Sequence, residues 1–287
     1  MGSGSWSTSS FANYVTSTSA SRGYNVTFDS LGNIITSASN QDMFKAVKVD
    51  EALNPYKIMR ECKDSEEHPN TLPIILALDV TGSLGQAAIE VAKKLNTIMT
   101  NLYDKVTDVE FCIMGIGDLY CDRGPIQISQ FESDIRIAEQ LDKIWFEFGG
   151  GGNNSESYSV AWYMGSRHCD LDCWKRGKKG IIITMGDERC NPYLPMTDLQ
   201  RLTGDTLEGD VETTNLYDEA SQKFDIYHIQ VNHERDWDIS GIRKSWEFLG
   251  NNYREANMDN IADVIIDIIT NNGAQDVVVS SSEGISW

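Results

Sequence analysis

Residues 75–86 read ILALDVTGSLGQ, passing from an aliphatic run to a hydroxyl-rich turn within four positions, with Asp79 at the join. The longer run LPIILALDV (72–80) has the length and unbroken apolarity of a strand buried on both faces of a parallel sheet. Beyond the turn, Ala88, Val91, Leu95, Ile98 and Leu102 recur at helical spacing, so 84–103 is expected as an amphipathic helix. Strand, polar turn and helix in succession form the opening unit of an α/β sheet.

The same alternation continues downstream. DVEFCIMGIGD (108–118) reads as a second strand, and GPIQISQFE (124–132) follows too closely for a crossover helix, which makes it antiparallel to the second. A helix over 134–145, the glycine loop FGGGGNNSES (148–157) and a helix over 156–167 come next. Further strands are expected at KKGIIITMGD (178–187), FDIYHIQV (224–231) and NYREAN (252–257). In the last helix Asp259 caps, Ile261, Val264, Ile265, Ile268 and Ile269 share a face, and Asn272 and Gly273 stop it. The expected fold is therefore α/β, a doubly wound, mostly parallel six-stranded sheet of Rossmann-like type with one short antiparallel strand at an edge. It divides into a Ser/Thr-rich N-terminal extension (1–70), the α/β domain (71–273) and a C-terminal tail (274–287). The extension is expected to hold one hairpin around Leu31, Gly32 and Asn33, with no core of its own. The acidic stretch 205–219 lacks the spacing of a calcium loop and reads as a solvated loop.

Composition limits the functions open to such a chain. Its 287 residues carry 24 Lys+Arg against 43 Asp+Glu, a net charge of −19 that repels phosphate backbones and anionic lipid, so neither nucleic acid nor membrane is expected as a partner. With no apolar run near the ~20 residues of a membrane span, and no signal-like start, the expected location is the cytoplasm. The six cysteines form no repeated framework and are expected to be reduced. RHCDLDC (167–173) could offer zinc three ligands, but C-x3-C without a second cluster is better read as packing at a helix end.

Three chemistries compete for the turn after Asp79. A nucleotide site is disfavoured: DVTGSLG lacks both glycine-rich phosphate patterns and a lysine, and Asp79 would repel a pyrophosphate. A serine hydrolase would place Ser83 on a nucleophile elbow with Asp187 and His233 following in order, but Thr81 stands where the first elbow glycine belongs, and Asp79 would have no task. The third is a divalent-cation site. Asp79, Thr81 and Ser83 are hard oxygen donors at alternate positions, suited to an ion the size of Mg²⁺. A plainer role also remains open, with Asp79 capping the helix and the hydroxyls bonding to backbone.

DVTGS (79–83) resembles the D-x-[ST]-x-S signature of von Willebrand factor A domains, whose metal-ion-dependent adhesion site adds one residue from each of two later loops. GIGDLYCDRGPIQISQFESDI (115–135), GGGGNNSES (149–157) and ITMGDE (183–188) are similar to segments of stand-alone bacterial and phage members, and of those attached to atypical kinases. The resemblance spans about 200 residues. It implies a Mg²⁺ or Mn²⁺ ion held by Asp79, Thr81, Ser83, Asn153 and Asp187, with Asp118, Glu156 and Glu188 behind the ligands. Two departures stand out: Met185 replaces the aspartate of the commoner third-loop T-D-G, and no proline follows GDE.

The implied function is protein binding without catalysis, the ion taking an acidic side chain of a partner. A MoxR-like AAA+ ATPase or another component of a bacterial or phage complex is the partner that the resemblance suggests. A structural protein self-assembling through its two terminal arms, with the ion only stabilising the fold, is the alternative.

Overall fold

The computed structural model describes residues 4–82, 85–147, 155–231 and 238–273. Six strands form the central sheet: β1 (Leu72–Asp79), β2 (Val109–Ile116), β3 (Ile126–Ile128), β4 (Gly180–Gly186), β5 (Phe224–Val231) and β6 (Tyr253–Ala256). Their spatial order is β6-β5-β4-β1-β2-β3. Every neighbouring pair is parallel except β2 and β3, where Met114 faces Ile128 and Ile116 faces Ile126. The mixed sheet with one antiparallel edge strand is thus as the sequence implies. Winding runs outward from β1 through β2 to β3, then returns to β4 and runs the other way. The direction reverses between β1 and β4, and ligands of doubly wound sheets bind at the carboxyl ends of the strands flanking such a switch point.

The α-helices of six or more residues among the described ones are α1 (Thr8–Arg22), α2 (Gly85–Lys93), α3 (Leu95–Tyr103), α4 (Arg136–Leu141), α5 (Val160–Arg167), α6 (Met196–Thr203), α7 (Thr213–Ala220), α8 (Ile239–Ser245) and α9 (Ile261–Gly273). Side-chain alternation along the strands divides the core between the two faces. Ile74, Leu76 and Leu78 pack with Ile181, Ile183 and Met185 beneath α1–α4 and α9, whereas Ile75, Ala77 and Ile182 pack against α5–α8. Asp79 continues the second series, so its carboxylate emerges on the α5 side.

Three sequence expectations change. The helix expected over 84–103 breaks at Lys94, whose φ of −92° and ψ of 7° interrupt it between α2 and α3. Residues 213–220, expected within a solvated loop, form α7, because Thr213, Leu216 and Ala220 recur at helical spacing and are buried. Most significantly, the Ser/Thr-rich start contains α1, capped by the Ser7 side chain and closed by Gly23 at φ 81°. Its Phe11, Val15 and Ser19 line one face at four-residue intervals, and Phe11 is only 1% exposed. Burying such a ring contributes about 2–3 kcal/mol. The expected hairpin is present, Thr27–Phe28 pairing antiparallel with Ile34–Ile35 across Gly32 at φ 75°.

This N-terminal stretch is fastened to its own chain. Arg22 grips Asp142 through two hydrogen bonds of 2.7 and 2.6 Å, Tyr14 donates to the same carboxylate at 3.0 Å, and Trp6 donates to Asn96 at 3.0 Å. Asn96 in turn donates to the Leu31 carbonyl at 2.7 Å. RHCDLDC starts at the end of α5, with Arg167 its last residue and His168 its C-cap, as expected, and continues into a short strand, Cys169–Leu171, paired with Arg60–Cys62. Cys169 and Cys173 are buried, and His168 bonds to Asp205 at 2.7 Å.

Candidate metal centre

Asp79 ends β1 at the switch point and is 1% exposed. The chain turns sharply after it, so that the Thr81 backbone N–H (2.9 Å) and hydroxyl (2.7 Å) both donate to Asp79 Oδ1. Asp79 Oδ2 accepts from the Tyr158 hydroxyl at 3.1 Å. That phenol also accepts from the Glu188 N–H at 3.2 Å, tying the first loop to the third. Gly186 makes room for it: a Cβ there would lie 1.9 Å from the Tyr158 oxygen.

The second loop re-enters the described chain at Ser155–Glu156, a two-residue strand parallel to Arg189–Cys190. Glu156 is 7% exposed, and its Oε1 lies 3.3 Å from Thr81 Oγ1. Its Oε2 is buried without a hydrogen-bond partner among the described residues. Asp118, after β2, holds the frame together: its Oδ1 accepts from Ser157 Oγ at 3.1 Å and from the Asn191 side-chain amide at 3.0 Å. Asn191 donates to Ser157 Oγ as well, at 3.1 Å, and its backbone N–H donates to the Glu156 carbonyl at 3.0 Å.

The electrostatics follow from burial. Removal from water lifts the Asp79 and Glu156 carboxyls above the usual carboxylate range. Neighbouring acids add to this: Asp187 raises Asp79, and Asp79, Asp122 and Asp118 raise Glu156. A buried carboxylate is tolerated when a proton, a cationic side chain or a metal balances it.

Of the residues expected from the sequence, Asp79, Thr81, Glu156, Asp118, Asp187 and Glu188 are brought to this end of the sheet. Ser83 and Asn153 lie outside the described residues, as does His233. Met185 points to the opposite face and is buried among the aliphatic residues there, so Asp187, half-buried just past β4, is the acid this loop offers. Among the described residues no three His, Cys, Asp or Glu side chains form a cluster able to hold an ion by themselves. What is present nonetheless suits a small divalent cation: two buried carboxylates, a hydroxyl between them, and one carboxylate oxygen left unpartnered. Tyr158 and Asn191 were missed in the sequence. Buried aromatics and loop asparagines carry no local signal that sets them apart, and only the three-loop arrangement reveals their roles.

His228, the histidine nearest His233 in the sequence, is unsuited to take its place in the hydrolase alternative. It lies within β5, bonds through Nδ1 to Thr184 Oγ1 at 2.9 Å and stacks on Trp246 at 3.7 Å. Burial pushes its pKa down to about 3, leaving it neutral.

No protein-family model matches the sequence. No curated protein is significantly similar to it. Solved structures of similar architecture include the pilus adhesin SpaC of Lactobacillus rhamnosus GG, at 14% identity and a TM-score of 0.46 over 76% of this chain and 31% of that one. The proximal thread matrix protein 1 of the mussel byssus is similar at 11% identity and 0.45, over 72% of this chain and 50% of that one. The vWF domain of the type V pili tip protein Mfa5 from Porphyromonas gingivalis gives 10% and 0.47, over 76% and 99%. The chain spans about a third of the length of SpaC. These likenesses concern the arrangement of sheet and helices and are not carried to the site.

Proposed function

We propose that the chain is a protein-binding module of the adhesion or scaffold kind, built on a Mg²⁺ or Mn²⁺ ion at the carboxyl end of β1. Asp79, Thr81 and Ser83 from the first loop, Asn153 from the second and Asp187 from the third hold the ion, directly or through water. Asp118, Glu156 and Glu188 support them. When bound, the ion supplies a Lewis-acidic position open to the carboxylate of an acidic residue on a partner protein. The observation that carries this reading is the convergence of Asp79, Thr81 and Glu156 at the switch point, with a buried carboxylate oxygen that finds no donor among the described residues.

A role without catalysis is part of the same proposal. A MoxR-like AAA+ ATPase in the cytoplasm is the partner we favour, with a second copy of the chain as the other. Assembly through the N-terminal arm is less well supported, because Phe11, Val15 and Arg22 are engaged within their own chain.

Calorimetric titration of Mg²⁺ and Mn²⁺ into the wild type and Asp79→Ala tests the metal. The wild type should bind and the variant should not; equal binding, or none by either, defeats the reading. Capture of partner protein that survives EDTA unchanged would separate the interaction from the ion.

A further inference from the structure

We propose that Glu156 is itself a ligand of the cation, supplying an anionic oxygen directly to the ion rather than standing behind the other ligands. The inference rests on reading this cluster as a divalent-cation site, and it changes which residues make the site.

Hydrogen-bond counting leads to it. The Thr81 hydroxyl has a single proton, and that proton is committed to Asp79 Oδ1 at 2.7 Å. It cannot also serve Glu156 Oε1 at 3.3 Å, so that contact needs a positive charge from elsewhere. Two bare acceptors at that distance on buried residues repel, and either a proton carried by Glu156 or a metal ion that displaces it must lie between them. The other oxygen of Glu156 is no better placed, being buried with no donor among the described residues. Every electrostatic neighbour that acts on this carboxyl by charge alone is another acid, namely Asp79, Asp122 and Asp118.

The spacing suits an ion. Adjacent oxygens on an octahedral cation with bonds of about 2.1 Å are about 3 Å apart. Thr81 Oγ1 to Glu156 Oε1, at 3.3 Å, is close to that edge length. Magnesium-sized ions are commonly held by one or two carboxylates with water completing the shell, and Asp79 with Glu156 provides two. The chain has reason to recruit Glu156. Asn153, in the same loop, has a neutral amide, and position 185 carries a methionine packed on the other face of the sheet.

Backbone structure also points to a ligand. Glu156 sits in the short strand that pairs with Arg189–Cys190, and its carbonyl accepts from Asn191 N–H at 3.0 Å. A residue held on a paired strand is better positioned than one on a free loop.

A crystal structure grown with Mn²⁺, located by its anomalous signal, provides the direct test. We expect a Glu156 carboxylate oxygen at bonding distance, about 2.1 Å, from an ion also bound by the first loop. An ion seated on the first loop with Glu156 turned away, or separated from it by water, overturns this proposal and leaves the metal reading intact. Absence of any ion overturns both. In solution, Glu156→Gln should weaken Mn²⁺ binding at least tenfold by calorimetry while its EDTA-treated form melts no lower than the wild type. Binding within twofold of the wild type would count against the assignment.

Discussion

Asp142 and Asp79 are the same chemical group, the first half-buried and the second fully buried, and they differ in what balances their charge. Each accepts a tyrosine hydroxyl on Oδ2, Tyr14 at 3.0 Å for Asp142 and Tyr158 at 3.1 Å for Asp79. Asp142 then receives the Arg22 guanidinium in a two-pronged grip, binding α1 to the helical layer. Asp79 receives the Thr81 hydroxyl and N–H and faces the charge of Asp187, with Glu156 just across the hydroxyl. The first carboxylate carries its counter-charge in the chain and so serves architecture. Under the proposed function the second would take its counter-charge from solution, which is how a binding site differs from a structural ion pair. Glu110 is a third case: it is fully buried in β2, and the donor beside its carboxyl is the weak one of the Cys62 thiol.

The comparison can be broken most forcefully at Gly186. An alanine there drives its methyl into Tyr158, and we expect Gly186→Ala to cost about 3 kcal/mol in urea unfolding and to abolish ion binding with it. Next in size is the contribution of the ion itself. At a Mg²⁺ concentration 100 times its dissociation constant, the wild type should gain about 2.7 kcal/mol of stability, and Asp79→Ala none. A comparable gain in the variant would show that the ion binds elsewhere. Asp142→Ala should cost about 2 kcal/mol by leaving Arg22 and Tyr14 unpaired, and that loss should be the same with Mg²⁺ or EDTA.

The effect spread most thinly, per pH unit, concerns Glu110, whose pKa burial pushes up from an ordinary 4.5 to about 7. The folded value lies above the unfolded one, so its contribution is fully present below pH 4.5 and disappears as pH rises through 7. Between pH 5 and 7 the wild type should therefore lose, relative to Glu110→Gln, about 1 kcal/mol per pH unit. Parallel pH profiles of the two proteins would refute this assignment.

Most of the sheet was legible because its strands are unbroken aliphatic runs, and the antiparallel β3 because the link from β2 is too short for a helix. The first loop was legible for the same reason that it folds as it does: Asp79 follows a run of residues that only a buried strand explains. α1 was not, since Phe11, Tyr14 and Val15 are nearly its only large apolar side chains, and the helix depends on the surface it lies against. Nor could Glu156 be told from its acidic neighbours. Its importance comes from an oxygen that finds no donor, and sequence does not show donors.

The short pairing of Ser155–Glu156 with Arg189–Cys190, joined by Asn191 to Asp118, bears on the thermodynamics of whatever binds here. Fixing a loop residue into one backbone conformation costs about 1–2 kcal/mol in lost entropy. For these residues that loss belongs to folding and is already complete before an ion arrives. The described parts of the second and third loops are therefore fixed as one unit, and under the proposed function an ion's binding energy would be directed to holding a partner rather than to ordering these residues.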